Sequence, residues 1–339
     1  MPAAQSTRRA TLSDVARAAG VSVPTVSKVV KGRTDVAPKT RARILALLDE
    51  HGYSPRGTAP RDLPRVIELC FDSMESTNNL ATMRGVLKAA EPLDVDVIVK
   101  ITPREIDGAT WVARVTDTQH SGIILVTSQL PEDQREQFSR AGVPIVVIDP
   151  INSPADALPS VGVNNFTGGY LATKHLIDLG HTRIAIIQGT ASECSHARLA
   201  GYHAAIREAD ITPVDEYEEH GAFRFQDGER AAERLFDLPQ PPTAIFAAND
   251  LEALGVFEAA RKRGIPIPHE LSVVGFDDSL QAASASPRLT TVRQPFAEIG
   301  STALQVLLQL AEGTPLATQR LELTTHLIVR ESTTTPPAP

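Results

Sequence analysis

From residue 66 onward the chain repeats one pattern: a short apolar run, a stretch with helical periodicity, then another apolar run. VIELCF, VDVIVKI, GIILV, PIVVID, RIAIIQG, TAIFAAND and LSVVGFDD read as strands. Between them, 79–91, 166–179, 195–209 and 250–263 place apolar residues three and four apart, the spacing of a helix buried on one face. A helix between two strands supplies the long crossover that parallel pairing needs. The alternation therefore predicts parallel sheets with helices on both faces. The strands are too many for one such sheet, so two doubly wound lobes are expected. Ligands of such folds sit beyond the carboxyl ends of the strands, often between lobes.

Polar residues gather at those strand ends: Asp72-Ser73, Asp149, Asn249-Asp250 and Asp277-Asp278. Carboxylates and amides there can hydrogen-bond sugar hydroxyls, or they can cap the helices that follow. The pattern alone leaves both uses open.

Before residue 54 the chain is different. TLSDVARAAGVSVPTVSKVV reads as two short helices. Thr11 is placed to cap the first, with Asp14 three residues on. Gly20 permits the left-handed turn that ends it. Ser22 caps the second, and Pro24 falls in its first turn, where a missing N–H matters little. Val26, Val29 and Val30 face inward, leaving Val23, Pro24, Ser27 and Lys28 outward. A third helix runs from about Pro38 to His51, with Ile44, Leu47 and Leu48 on its buried face. Two helices joined by a short glycine-containing turn are a helix-turn-helix.

Charge divides at the same place. Residues 1–61 hold eleven Lys/Arg against four Asp/Glu, while the rest of the chain holds 22 against 37. A basic head on an acidic body points to nucleic-acid contact by the head alone. Enzyme motifs are missing from the sequence: no G-x-G-x-x-G after a strand, no P-loop, no G-x-S-x-G, no H-E-x-x-H. Neither an enzyme nor a cofactor nor a metal is expected. Cys194 and His196, two apart on a helix, point differently, so Cys194 reads as a structural or site-lining thiol. No run is long and apolar enough for a membrane span, and the first residues lack a secretory apolar segment, so a cytoplasmic protein is expected.

TLSDVARAAGVSVPTVSKVVKG, VAPKTRARILALLDE and HGYSP resemble the DNA-binding head of the lac-repressor family. The body resembles the same family along its length, in HLIDLGHTRIAIIQG, SHARLAGYHAAI, PTAIFAANDLEALGVFEAARKRGIPIPHELSVVGFDD and PRLTTVRQP. The resemblance implies a small all-α helix-turn-helix head, 1–53, and a joint, 54–65. It implies an α/β periplasmic-binding-protein-like body, 66–331, of two doubly wound parallel-sheet lobes. Lobe 1 would be about 66–163 plus 295–322, and lobe 2 164–294 plus 323–331. Residues 332–339, proline-rich, are expected to be disordered. That tail replaces the family's tetramer-forming leucine-repeat helix, so a homodimer is expected.

By the same resemblance Val23, Pro24 and Lys28 would face base edges, and Ser22, Thr25, Ser27 and Tyr53 would bind phosphates. Thr11, Leu12 and Lys31 complete the contact set. Ala37 departs from the family's capping serine, a loss of about 1 kcal/mol for the third helix. In the body, Arg198 would clamp sugar hydroxyls and Phe223 would pack on a sugar ring. Asn249, Asp277 and Asp149 would hydrogen-bond the ligand, Gln294 would line the cleft, and Asp72 and Ser73 would touch ligand from lobe 1.

The partners implied are operator double-stranded DNA and a small effector, with a pentose or short oligosaccharide expected and no membrane. A purine or phosphorylated corepressor, which would invert the response, is the alternative; a solute-binding protein is a more distant one. The joint SPRGTAPRDLPR departs most: Gly57 and Pro60 are poor inside a helix, and Asp62 stands where the family has a wedge leucine. An extended tether is expected, with Arg56, Arg61 and Arg65 supplying phosphate or minor-groove attraction and with little operator bending.

Overall fold

The computed structural model describes residues 12–30, 36–50, 65–72, 76–102, 108–117, 120–127, 131–151 and 158–338. It divides into two compact units, 1–64 and 65–339.

In the first unit, α1 (Leu12–Ala19), α2 (Val23–Val30) and α3 (Pro38–Glu50) enclose Val15, Ala16, Ala19, Val26, Val29, Val36 and Ile44. Leu47 and Leu48 pack against this cluster. Gly20 has φ +64°, and its N–H reaches Arg17 O while Val21 N–H reaches Ala16 O. That bond pair is a Schellman stop, which a glycine enters without steric penalty. Thr11 lies outside the described residues.

In the second unit β1 (Arg65–Phe71), α4 (Thr77–Ala90), β2 (Val95–Ile101), α5 (Gly108–Asp117), β3 (Gly122–Val126), α6 (Glu132–Ala141), β4 (Ile145–Ile148) and β5 (Ser160–Val163) come first. Next are α7 (Asn165–Asp178), β6 (Ile184–Gln188), α8 (Glu193–Glu208), β7 (Glu218–His220), α9 (Phe225–Phe236), β8 (Ala244–Ala247), α10 (Asp250–Arg263) and β9 (Ser272–Asp277). The last are α11 (Leu280–Ser284), β10 (Thr290–Arg293), α12 (Phe296–Ala311), β11 (Arg320–Leu323) and β12 (His326–Ile328). They form two sheets, ordered β11-β5-β4-β3-β1-β2 and β12-β10-β9-β8-β6-β7.

The first sheet is parallel throughout. On one face, α4 and α12 bury Ile67, Leu69 and Phe71; on the other, α5 and α6 bury Cys70 and bring Trp111 edge-on to Phe138 at 5.2 Å. Glu68 breaks the apolar run of β1, and its buried carboxylate is held by Lys100, His120 and Trp111. In the second sheet α9 and α10 cover one face, and Ala172 and Leu176 of α7 with Tyr202 and Ile206 of α8 cover the other.

The seven expected strands all form, but five more were not legible: SVGV, EEH, TTVR, RLEL and HLI. Each is short and lacks a continuous apolar run, and three of them are edge strands. β10 lies inside its sheet, with Thr290 and Thr291 fully buried and their hydroxyls hydrogen-bonded. Parallel pairing fails once: β12 runs antiparallel to β10, because the chain leaves lobe 1 at the carboxyl end of β11 and enters lobe 2 from the end where β10 finishes. The chain passes between lobes three times, after β5, β10 and β11.

The expectation of a disordered tail is corrected. Ser332 is fully buried, donates to Val273 O at 2.6 Å and accepts Thr290 N–H at 2.7 Å. Thr333 meets His175, while Thr334 meets His181 and Ser272. Prolines forbid a helix here but not an extended strip whose backbone and hydroxyls find partners on lobe 2.

Candidate functional site

In the head, α2 presents the expected surface. Val23 is 39% exposed and Pro24 and Lys28 are exposed, whereas Val26 and Val29 are buried beneath them. Ser22 Oγ accepts Thr25 N–H at 3.3 Å and lies 2.8 Å from Thr25 Oγ1. The two hydroxyls therefore sit together at the start of α2, where the helix dipole favours an anion. Leu12 and Ser27 lie on α1 and α2, but their side chains are outside the described part. Thr11, Lys31, Tyr53, Arg56, Arg61 and residues 54–64 of the tether expected at 54–65 are also outside the described residues, whereas Arg65 opens β1 and donates to Glu312 Oε1 at 3.0 Å, a body contact rather than the expected DNA contact.

In the body, the carboxyl ends of both sheets meet at a cavity of about 300 Å³. Lobe 1 supplies Asp72, Asp149 and the first turns of α4; lobe 2 supplies Arg198, Phe223, Asn249 and Asp277; Gln294 stands at a crossover. Ser73 lies outside the described residues. Seven non-glycine residues described have positive φ, and four line this cavity: Thr127 (+47°), Asp149 (+44°), Phe223 (+60°) and Asp277 (+123°). Side chains rarely adopt these angles, so surrounding contacts must hold them there.

Arg198 is 5% exposed, because α7 and α8 approach closely. A Cβ on Gly169 would sit 2.2 Å from Arg198 O, so only glycine permits the approach. The guanidinium donates through Nε to Asn165 Oδ1 at 2.9 Å and through Nη1 to Ala248 O at 2.6 Å. It lies 3.7 Å from the Phe276 ring centre and 5.8 Å from that of Phe223. These contacts fix its plane and leave Nη2 with donors to offer a ligand.

Phe223 is clamped at both ends of its backbone. Its N–H donates to Glu252 Oε1 at 2.8 Å, and its carbonyl accepts Asn249 Nδ2 at 3.1 Å. Its ring occupies the space a side chain at Gly189 would need. Burial pushes the Glu252 carboxyl up to about 8, against the opposing Phe223 N–H and Arg198, so it is protonated at neutral pH. Asn249 also caps α10, its Oδ1 accepting Glu252 N–H at 2.8 Å. One amide hydrogen remains to it.

Asp277 Oδ1 accepts Gln294 Nε2 at 2.6 Å, and its Oδ2 accepts Asn78 Nδ2 at 2.7 Å. The second bond joins the lobes directly. Burial raises the Asp277 carboxyl, while Arg198 and the two amides oppose the rise. Asp149 is pushed up to about 6 by burial first; Arg198 opposes and Asp277 reinforces. Gln294 Oε1 is a buried acceptor with no donor among the described residues.

All the expected cleft residues that are described converge here. Asn78, Asn79, Thr82, Thr127 and Glu252 were missed. The polar cluster Ser76-Thr77-Asn78-Asn79 just beyond the first strand was the available clue to α4. Cys194 lines the cavity, 3.2 Å from Ser192 Oγ.

Residues 11–56 match the family described as bacterial regulatory proteins, lacI family, and residues 173–333 match the periplasmic binding protein-like domain. The HTH-type transcriptional repressor CytR of Escherichia coli (strain K12) is 32% identical over 338 residues, 98% of this chain and 99% of its own. The transcriptional regulator CelR in its cellobiose complex superposes with a TM-score of 0.72 at 29% identity, over 96% of this chain and 100% of that one. The lac repressor dimer bound to operator and the anti-inducer ONPF gives 0.70 at 29% identity, with the same coverage. Among the described residues no helix is long and apolar enough to cross a membrane.

Proposed function

The chain belongs to the lacI family of bacterial regulatory proteins and is a DNA-binding transcriptional regulator; from that premise we propose that it is a sugar-released repressor. It would leave a near-palindromic operator when a sugar or short oligosaccharide binds between the lobes. The observation that carries the ligand class is the cavity itself. Its walls combine carboxylates and amides with a fixed guanidinium, and Phe223 offers an aromatic face beside them. Hydroxyl-rich rings need that mixture of acceptors, donors and an apolar face. Gln294 Oε1 is an acceptor that a ligand hydroxyl would satisfy.

Three crossovers make a hinge, and Asn78 with Asp277 already bridges the gap it closes. A sugar that favours one lobe arrangement shifts the population toward it, and coupling to the head then changes DNA affinity by the same factor that DNA changes sugar affinity. The protein would act as a homodimer, matching a two-fold operator. Of the large apolar side chains left exposed, Leu80, Leu87, Leu93, Val99 and Ile101 fall on or between α4 and β2, a surface suited to a second copy. The site of action would be the cytoplasm, and the mode binding alone.

The test is a melting-temperature screen followed by operator release in fluorescence anisotropy. A sugar that raises the melting point and weakens operator binding supports the reading, since a ligand specific for the native state stabilises it in proportion to ln(1 + [L]/Kd). Stabilisation by a purine base instead, with tighter operator binding, would sink it. In the head, Lys28→Ala is expected to weaken operator binding at least tenfold more than random-DNA binding. Equal loss on both would make Lys28 a phosphate contact.

A further inference from the structure

We infer that the cleft selects the uncharged form of its sugar and rejects the phosphate monoester, so that phosphorylation ends the signal. The inference rests on the sugar reading above and names which chemical form of the sugar is sensed.

Charge is the first observation. Among the described residues lining the cavity, Arg198 is the only basic one; Asp149 and Asp277 both interact with it, and Asp72 lines the same cavity. Asp149, at about 6, is ionised at pH 7.5 and already balances Arg198, so the cleft offers an incoming dianion no net positive charge. Arg320, which lies behind Asp149, is itself paired with Glu193 and Glu322. A dianion entering this cleft meets like charge in a partly dehydrated space, where screening is weak.

The second observation concerns the donors that a phosphate would use. Arginine holds phosphate best through two parallel N–H groups, and Arg198 has committed Nε to Asn165 and one Nη1 hydrogen to Ala248. The side-on fork is therefore closed. Helix N-termini are the other ready-made phosphate sites, and three of them open onto this cleft. Each is already capped from within: Ser76 takes Asn78 N–H, Ser192 takes Ser195 N–H, and Asn249 takes Glu252 N–H. Neutral hydroxyls need none of these groups; single lone pairs and single N–H groups suffice, and the cleft still offers them.

The effector would thus come from a reaction that leaves a free sugar, such as glycoside hydrolysis or transport without phosphorylation. It would be consumed by a kinase. There the γ-phosphoryl group of a nucleoside triphosphate passes to a sugar hydroxyl, whose proton is released, giving the monoester and a nucleoside diphosphate. The product loses its place in the cleft, and the operator is reoccupied.

The experiment is isothermal titration of the full chain at pH 7.5 with matched pairs: ribose and ribose 5-phosphate, glucose and glucose 6-phosphate, cellobiose and cellobiose 6-phosphate. For whichever sugar binds, the phosphate is expected to bind at least about 100-fold more weakly. Asp149→Asn and Asp72→Asn are each expected to narrow that ratio. A phosphate that binds as tightly as its parent, or a ratio unmoved by both substitutions, overturns the charge argument while the sugar reading stands. If none of the six compounds binds while a purine base does, the sugar reading itself falls, and this inference with it.

Discussion

The two walls of the cleft are built differently. On the lobe 2 wall nearly every expected binding residue is held by its own lobe. Arg198 is tied to Asn165 and Ala248 and stacked on Phe276, and Phe223 is clamped between Glu252 and Asn249. The lobe 1 wall is a row of short polar side chains at the start of α4, with Asp149 at the end of β4. Asn78 reaches across. The lobe 2 wall is thus fixed by folding itself, while the lobe 1 wall rests on few contacts of its own and is tied across the gap by Asn78.

Removing a lobe 2 anchor should hurt most. Arg198→Ala is expected to weaken effector binding by about 100-fold or more while operator binding persists, as read by titration and anisotropy. Arg198→Lys should not rescue it, because an ammonium can neither stack flat on Phe276 nor reach both Asn165 and Ala248. An unchanged response in the alanine variant would place the site elsewhere.

Next comes the clamp on Phe223. Glu252→Ala removes the acceptor for its N–H and should weaken binding about tenfold by freeing the strained backbone. Glu252→Gln keeps that acceptor and should bind almost as the parent does. Because the folded carboxyl is raised to about 8, the native state holds more protons than the unfolded one between the ordinary glutamate range and pH 8. Parent stability should fall as pH rises through that window, and the melting point of the glutamine variant should gain on it steadily. Parallel melting curves across that range would show the carboxyl to be charged.

On the other wall, Asn78→Ala should cost only a few-fold in affinity, since one hydrogen bond contributes about 1 kcal/mol net. Solution scattering should show a more open body without ligand. A loss as large as that of Arg198→Ala would erase the contrast between the walls. The smallest effect is expected from Asp149→Asn. Asp149 is raised to about 6, facing Arg198, Asp277 and Arg320, so the parent loses stability as pH rises from about 4 to 6. The asparagine variant should gain about 5 °C or more in melting point across that window and then level off.

The contrast also accounts for how much was legible beforehand. Arg198, Phe223, Asn249 and Asp277 lie beside strong strands and helices in the best-patterned part of the chain, and resemblance carried them over one by one. Asn78, Asn79 and Thr82 lie in a helix whose start was placed two residues late, at 79, with only Asp72-Ser73 counted as the polar loop. Glu252 was invisible for another reason. It follows Asn249 by three residues and reads as part of a capped helix, yet its carboxyl Oε1 serves Phe223, 29 residues earlier in the chain. The tail misled because composition speaks of what a segment cannot form by itself, not of a groove waiting for it.

Local pattern was enough to determine the helix-turn-helix, the alternation of strands and helices, the two lobes and the charge division between head and body. Each of these depends on periodic burial, and a periodic residue carries that information wherever its partners lie. Only the tertiary structure decided what each polar group has left to offer. Asn78 and Asp277 are 199 residues apart; Arg198 commits two of its five N–H donors inside the protein, and Asn249 commits one amide hydrogen and its Oδ1. Hydrogen bonds are short and directional, so their pairing appears only when the lobes are folded and facing each other.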